Sequence, residues 1–159
     1  MRHYDEDDSD TPGVCGPPPL IFIAALGLGL ALGRGTASDT RGSQVSRFLG
    51  TAAIPAGVLL GAAAIVALKG AGTNLDPFKP STALVTRGPF RFTRNPAYVG
   101  ATSIYIGIAL LARSLPALTL LPVALALLDR GVVDREERYL ERRFGDAYRS
   151  YRATVPRWF

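Results

Sequence analysis

Long apolar stretches without a charged residue are the feature that most constrains the fold of this chain. The clearest of them covers residues 48–68 and lies between Arg47 and Lys69. A bilayer core is crossed by about 20 apolar residues in a helix, because only a closed set of backbone hydrogen bonds is stable in lipid. The sequence therefore predicts an all-α integral membrane protein.

Three shorter apolar stretches complete a predicted bundle of about four transmembrane helices. Arg113, Ser114 and Pro116 interrupt the long apolar region that begins at Tyr98, and this break predicts two short helices joined by a tight hairpin. The predicted membrane domain covers residues 20–159. Its predicted spans are residues 20–33, 48–68, 98–112 and 115–128.

Glycines recur inside the first two predicted spans. Gly27 and Gly29 lie in the first, and Gly57 and Gly61 lie in the second. Small residues let two membrane helices approach closely, so these glycines predict helix–helix contacts rather than a nucleotide-binding loop.

The two ends of the chain differ from the apolar centre. Residues 1–19 are acidic and rich in proline, which predicts a disordered tail. This tail holds His3 and Cys15, the only histidine and the only cysteine, so zinc sites and histidine catalysis are nearly excluded. Residues 132–151 predict an amphipathic helix, which Gly145 interrupts, with an apolar stripe at Val133, Leu140, Phe144, Tyr148 and Tyr151.

The positive charge is concentrated beside the apolar stretches. The net charge is +5, and most Lys and Arg residues lie in residues 69–94 and in the C-terminal segment, whereas the hairpin carries Arg113 alone. This placement predicts an inner-membrane protein with the long loop and the C-terminal helix in the cytoplasm, and it argues against nucleic acid as a partner. The first connector, with Arg34, Arg41 and Arg47, does not follow this rule.

The stretch from residue 87 to residue 100 is the first candidate for chemistry. It holds three arginines, two prolines and three aromatic residues within fourteen positions. One interpretation is a helix start at the lipid headgroups, with Asn95 as N-cap and Pro96 at the first helical position. The other is a ligand site that uses Arg94 and Tyr98, and the local sequence favours neither.

Two acidic residues and a glycine pair are the other candidates. Glu136 and Glu137 are either surface residues paired with nearby arginines or site residues. Glu137 falls on the apolar stripe, where a carboxylate is costly unless it meets a cation. Gly70 and Gly72 either end a helix or let a ligand approach the backbone, and Thr73 follows them.

Together these elements resemble the isoprenylcysteine carboxyl methyltransferase and phospholipid methyltransferase group. The resemblance lies in G-A-G-T-N at 70–74, R-G-P-F-R-F-T-R-N-P-A-Y-V-G at 87–100 and E-E-R-Y-L-E-R-R-F-G-D-A-Y-R-S-Y at 136–151. Many members have a histidine where this chain has Asn95. The resemblance implies a cofactor site at Gly70, Gly72, Thr73, Arg94, Asn95, Pro96, Tyr98, Glu136 and Glu137, with Arg94 and Glu137 as the catalytic pair.

The resemblance also implies an enzyme that uses S-adenosylmethionine without a Rossmann domain or a metal. Glu136 or Glu137 would hold the ammonium or ribose of the cofactor, and Arg94 would hold its carboxylate. Tyr98 or Phe90 would pack on the adenine or face the sulfonium. The acceptor would be lipophilic, resembling either an isoprenylcysteine carboxylate or a phospholipid, and membrane lipids would be partners.

Two other functions fit the sequence. The first is an NADPH-dependent membrane reductase, because sterol reductases resemble this group in their C-terminal helices. In such an enzyme the extra phosphate of NADPH would meet Arg87, Arg91 and Arg94. The other is a non-enzymatic scaffold whose arginine-rich helix docks on anionic lipid. The sequence leaves open the acceptor, the choice among O-, N- and S-methylation, and the oligomeric state.

Overall fold

The computed structural model describes residues 17–34, 44–74 and 80–158, and all regular elements within these ranges are helical. The predicted all-α class is confirmed. Most of the predicted disordered tail, with His3 and Cys15, and most of the first connector lie outside the described residues. The last two residues assigned to that tail, Pro18 and Pro19, instead begin the first helix, because proline fits the first turn of a helix. The helices are α1 (Pro18–Gly33), α2 (Gln44–Gly70), α3 (Pro96–Leu111), α4 (Leu115–Leu128), α5 (Asp134–Phe144) and α6 (Asp146–Thr154), with a 3-10 turn at Gly88–Arg91.

Helices α2 and α3 pack as an antiparallel pair through facing glycines. A Cβ atom added to Gly107 would lie 2.9 Å from the Gly50 carbonyl oxygen, and one added to Gly100 would lie 2.7 Å from the Gly57 oxygen. The latter Cβ would also lie 3.1 Å from the Gly61 nitrogen. Real Cβ atoms do not come so close to backbone, so only glycine permits this approach. The packing role predicted for Gly57 is confirmed, whereas a Cβ atom at Gly61 would meet nothing within 4 Å.

Helix α1 packs on α4 at the hairpin between α3 and α4. The Ser114 hydroxyl donates to the Gly29 carbonyl at 2.8 Å and accepts from the Ala117 backbone N–H at 3.2 Å. Ser114 therefore caps α4 and fastens it to α1 at the same time. Arg113 turns the chain with a φ of 54°. The hairpin predicted at these residues is confirmed, and a Cβ atom at Gly29 would overlap Ala117.

The core lies where α1, α3 and α4 meet. The Tyr105 hydroxyl donates to the Ala117 carbonyl at 2.7 Å, and the ring of Phe22 meets the ring of Tyr105 edge-on at 6.3 Å. The buried side chains of this cluster are Phe22, Tyr105, Ala109, Ala117, Leu128, Val132 and Val133.

Helix α4 covers the residues predicted for the fourth span, but no break separates it from the C-terminal helix. Helix α4 continues through a π-helical turn, Asp129–Val133, directly into α5. The change from apolar to charged residues alters the surroundings of the helix but does not interrupt its backbone hydrogen bonds. The predicted interruption at Gly145 is present, since Gly145 has a φ of 52° between α5 and α6.

Two of the continuous helices are long and apolar enough to cross a membrane, judged by length and composition: Gln44–Gly70 and Leu115–Phe144. Helices α1 and α3 are apolar but shorter, with 16 residues each. Many large apolar side chains face outward, and the exposed fraction reaches 72% at Phe48 and 70% at Leu59. An apolar outer surface of this kind is typical of a protein in contact with lipid.

Candidate functional site

A cavity of about 470 Å³ lies where the start of α3, the end of α2 and helix α5 meet. This volume falls in the range of about 300–1,000 Å³ that is usual for small-molecule sites. Most of the lining surface is apolar, although about half of the lining residues carry polar or charged groups. The polar and charged residues include Thr73, Arg94, Asn95, Tyr98, Glu136 and Glu137.

A buried ion pair joins the loop before α3 to helix α5 beside this cavity. Arg94 Nη1 lies 3.0 Å from Glu137 Oε1, and the two side chains are only 10% and 8% exposed. The same Nη1 donates to the Tyr148 hydroxyl at 3.3 Å. A buried carboxylate is stable only beside a cation, and Glu137 has the cation that its place on the apolar stripe requires.

The Arg94 guanidinium retains an unused donor. Its Nε–H is buried and makes no hydrogen bond with any of the described residues. A buried donor without a partner is uncommon in proteins, and its loss of solvation is costly. Arg94 lines the cavity, but this atom has almost no accessible surface and does not itself face the open space.

Glu136 has a different partner from its neighbour. The Tyr98 hydroxyl donates to Glu136 Oε1 at 2.8 Å. Burial raises the pKa of Glu136 to about 7, although the Tyr98 hydrogen bond acts in the opposite direction, and the nearby charge of Glu137 adds to the rise. Glu136 therefore changes its charge near neutral pH. The side chains that meet Glu136 and Glu137 are those of Tyr98, Arg94 and Arg157, rather than the arginines that lie near them on α5.

Arg157 belongs to the site and was missed by the sequence analysis. It donates through Nε and Nη2 to the two oxygens of Glu137 at 3.1 and 2.8 Å. Its Nη1 donates to Asp129 at 3.0 and 3.1 Å and lies 2.9 Å from Asp134. A signal was present, since Asp129, Asp134, Glu136 and Glu137 fall within nine residues and buried carboxylates need cations.

Asn95 does not cap α3 as predicted. It occupies the N-cap position, but its side chain makes no capping bond and instead donates through Nδ2 to the Arg157 carbonyl at 3.1 Å. The Thr93 hydroxyl donates to the same carbonyl at 2.8 Å. The C-terminal segment thus uses the side chain that would otherwise cap the helix. Pro96 is buried at the first helical position, as predicted.

The structure places neither Gly70 nor Gly72 in the cavity lining. Helix α2 ends in a Schellman arrangement: Gly72 donates to the Lys69 carbonyl at 3.0 Å, and Thr73 donates to the Leu68 carbonyl at 3.3 Å. Gly72 has a φ of 69°, and a Cβ atom at either glycine would meet nothing within 4 Å. The helix-end interpretation accounts for both glycines, whereas Thr73 lies beside the cavity.

The loop after α2 folds back on the bundle in its described part. The Ser81 N–H donates to the Tyr139 hydroxyl at 2.8 Å, and the Thr82 N–H donates to Thr73 Oγ1 at 3.1 Å. The Thr82 hydroxyl donates to the Gly72 carbonyl at 2.8 Å. These bonds hold the described part of the loop against the bundle, and residues 75–79 lie outside that part.

The arginines expected to hold an extra phosphate do not gather at the cavity. Arg87 and Arg91 are exposed and are absent from its lining, and Arg91 lies over the ring of Phe92 at 5.5 Å. Phe90 does line the cavity, and its carbonyl accepts from the Tyr151 hydroxyl at 2.7 Å. The predicted basis for NADPH binding is therefore not assembled here.

Comparison with protein-family models identifies the family. The phospholipid methyltransferase model matches residues 45–147, well over half of the chain. Searches of the curated proteins and of the solved structures give no significant match. The matched range includes Arg94, Tyr98, Glu136 and Glu137, the four side chains that the fold gathers at one cavity. The motif resemblance is thus confirmed over the part of the chain that forms the cavity, and the chain belongs to the phospholipid methyltransferase family.

Proposed function

We propose that this protein transfers a methyl group from S-adenosylmethionine to a lipophilic acceptor at the membrane. Its family consists of methyltransferases that act on lipid-like acceptors. The observation that carries the proposal is the buried Arg94–Glu137 pair, which joins two distant motifs of the chain at a cavity of suitable size. These are the two residues that the motif resemblance assigns to catalysis.

The side chains at the cavity fit the chemical groups of this cofactor. The Arg94 guanidinium suits the carboxylate of the cofactor, because a charged donor and a carboxylate make a strong hydrogen bond. Glu136 suits its ammonium or ribose hydroxyls. Tyr98 already donates its hydroxyl to Glu136, so we assign its ring, with that of Phe90, to the adenine or the sulfonium.

The two acidic residues then have different tasks. Both oxygens of Glu137 accept from Arg157, and Oε1 also meets Arg94, so Glu137 acts by fixing the Arg94 guanidinium. Glu136 has a single side-chain partner in the described chain, Tyr98, and is the carboxylate that meets the positive charge of the cofactor.

The reaction needs alignment more than it needs a base. Bound S-adenosylmethionine supplies a methyl group activated by a sulfonium. The ion pairs fix the groups that orient it, and alignment of this kind can lower a barrier by about 7–11 kcal/mol. Apolar side chains exclude water from the reacting atoms. In the lining these include Ile65, Leu68, Val85 and Leu140.

We place α1 to α4 across the membrane, with the cavity on the cytoplasmic side. A second cavity, of about 420 Å³, lies between α3 and α4, and its lining is mainly apolar, with Val99, Leu125 and Trp158 among its residues. This position favours lateral entry of a lipophilic acceptor between these two helices.

Calorimetry on protein purified in detergent tests the proposal. We expect the wild type to bind S-adenosylmethionine in the micromolar range, roughly −8 kcal/mol. Glu137→Ala should abolish binding, because Arg94 and Arg157 lose their shared partner. Glu141→Ala is the matched control, since Glu141 lies on the same helix and pairs with the exposed Arg152 and Arg149.

The outcomes separate the three candidate functions. A folded wild type that binds no S-adenosylmethionine would reject the proposal. Thermal stabilisation by NADPH alone would favour the reductase, and binding of neither cofactor, with tolerance of Glu137→Ala, would favour the scaffold. Mass detection of methylated lipids then identifies the acceptor.

A further inference from the structure

Arg157 contacts three carboxylates at the site, yet it does not line the main cavity. Its Nε and Nη2 bind the two oxygens of Glu137 as a fork, at 3.1 and 2.8 Å. Its Nη1 reaches Asp129 at 3.0 Å and Asp134 at 2.9 Å. The planar guanidinium suits this geometry, because it holds several donors in fixed directions.

The backbone of the C-terminal segment bonds to the loop that carries Arg94, the other member of the ion pair. The Arg157 carbonyl accepts from the Thr93 hydroxyl at 2.8 Å and from the Asn95 amide at 3.1 Å. The preceding carbonyl, of Pro156, accepts from the Arg94 N–H at 3.0 Å. Three consecutive residues of the loop before α3 therefore bond to two consecutive residues of the C-terminal segment.

These two sets of contacts fix both members of the Arg94–Glu137 pair from one place. The Arg157 side chain sets the direction of the Glu137 carboxylate, and its backbone sets the position of the loop that carries Arg94. Substitution of Arg157 would leave three carboxylates close together, with Arg94 as the cation that Glu137 retains. Glu137 would then be free to turn toward a different rotamer.

We propose that Arg157 is a positioning residue for the cofactor cavity: it fixes Glu137 against Arg94 and thereby determines how firmly the cofactor is held. The proposal rests on the proposed function. It assigns Arg157 no contact with the cofactor, so its effect on binding must pass through Glu137.

The test compares dissociation constants for S-adenosylmethionine, by calorimetry, in one detergent. Arg157→Gln should weaken binding by about 10- to 100-fold, the usual range when a partner that orients a ligand-holding group is lost. Arg157→Lys keeps the charge but not the fork, so it should weaken binding by less. Arg152→Gln is the matched control, because Arg152 is an exposed arginine of α6 and pairs with Glu141.

A double-substitution cycle separates positioning from general destabilisation. If Arg157 acts through Glu137, adding Arg157→Gln to Glu137→Gln should weaken binding by no more than twofold beyond Glu137→Gln alone. Additive losses would overturn the proposal, as would wild-type affinity in Arg157→Gln. Circular dichroism establishes whether each variant is folded. If Arg157→Gln is not folded, the comparison uses Arg157→Lys instead.

Hydrogen exchange gives a readout that does not depend on the cofactor. In Arg157→Gln the Arg94 amide should exchange at least tenfold faster than in the wild type, because its acceptor lies in the released segment, and Arg152→Gln should leave it unchanged. If the wild type binds no S-adenosylmethionine, the proposed function is rejected. Unchanged exchange of the Arg94 amide in Arg157→Gln would overturn the positioning role of Arg157, whether or not the cofactor binds.

Discussion

Glu136 and Glu137 are adjacent in sequence but lie in different electrostatic surroundings. Glu137 accepts from the Arg157 guanidinium and forms an ion pair with Arg94, whereas Glu136 accepts from the neutral Tyr98 hydroxyl. Burial raises the pKa of Glu136 to about 7. Two identical side chains can therefore divide the work: one pairs with guanidinium groups, and the other titrates near neutral pH.

The affinity for S-adenosylmethionine should depend on pH through Glu136. Below pH 7 its carboxyl is protonated and neutral, and above pH 7 it is an anion that attracts the positive charge of the cofactor. Affinity should therefore rise as the pH increases from 6 to 8. Calorimetry at several pH values measures this rise, which should disappear in Glu136→Gln. A pH dependence that persists in this variant would assign it to another group.

The Tyr98 hydroxyl should control where this titration falls. Its hydrogen bond lowers the pKa of Glu136 against the larger effect of burial, so Tyr98→Phe should move the midpoint of the affinity curve to higher pH. Tyr139→Phe is the control, because the Tyr139 hydroxyl accepts from the Ser81 N–H and does not contact Glu136. A midpoint that stays in place in Tyr98→Phe would contradict the assignment.

At this scale the sequence singled out four side chains that line one cavity, but not all of their partners. Arg94, Tyr98 and the two glutamates could be found because they lie in compact motifs. Arg157 could not, because its contacts with Glu137 and Asn95 depend on how the chain folds back after α6. The interpretation of Asn95 as a helix cap failed for the same reason, because local spacing cannot show that its side-chain amide donates to a distant carbonyl.

At the scale of elements, breaks in the backbone were predictable and continuity was not. Ser114 caps α4 and Pro116 lies in its first turn. This local chemistry located the start of the helix and the hairpin before it. The junction between α4 and α5 was predicted as a boundary because the residues become charged there. The turn Asp129–Val133 instead keeps the helix unbroken, and no residue in it removes a backbone donor.

The glycine contacts between α2 and α3 give a stability prediction. A Cβ atom at Gly107 would lie 2.7 Å from the Ile54 side chain and 2.9 Å from the Gly50 oxygen, so Gly107→Ala should force the helices apart. Overpacking of this kind costs about 1–3 kcal/mol. Thermal unfolding in detergent measures it. Gly61→Ala is the matched control, because its Cβ would meet nothing within 4 Å; an equal loss in both variants would contradict the packing argument.

At the scale of the whole molecule, the helix lengths constrain the surrounding membrane. Helices α1 and α3 have 16 residues each, which at 1.5 Å per residue gives about 24 Å. A typical hydrocarbon core is about 30 Å thick, so the proposed spans need a locally thinner bilayer or polar ends that extend into the headgroups. Helix α4 has 14 residues before the charged turn to α5, so the same constraint applies to it, whereas α2, with 27 residues, does not have it.

The proposed topology puts the α3–α4 hairpin and helix α5 on opposite sides of the membrane. Arg113 is exposed in the hairpin and Arg138 is exposed on α5, so cysteines at these positions report the two sides. In a Cys15→Ser background, a membrane-impermeant maleimide added to intact cells should label Arg113→Cys, whereas Arg138→Cys should react only after the membrane is opened. Labelling of both positions in intact cells would reject four spans, because it would place the α3–α4 hairpin and α5 on the same face.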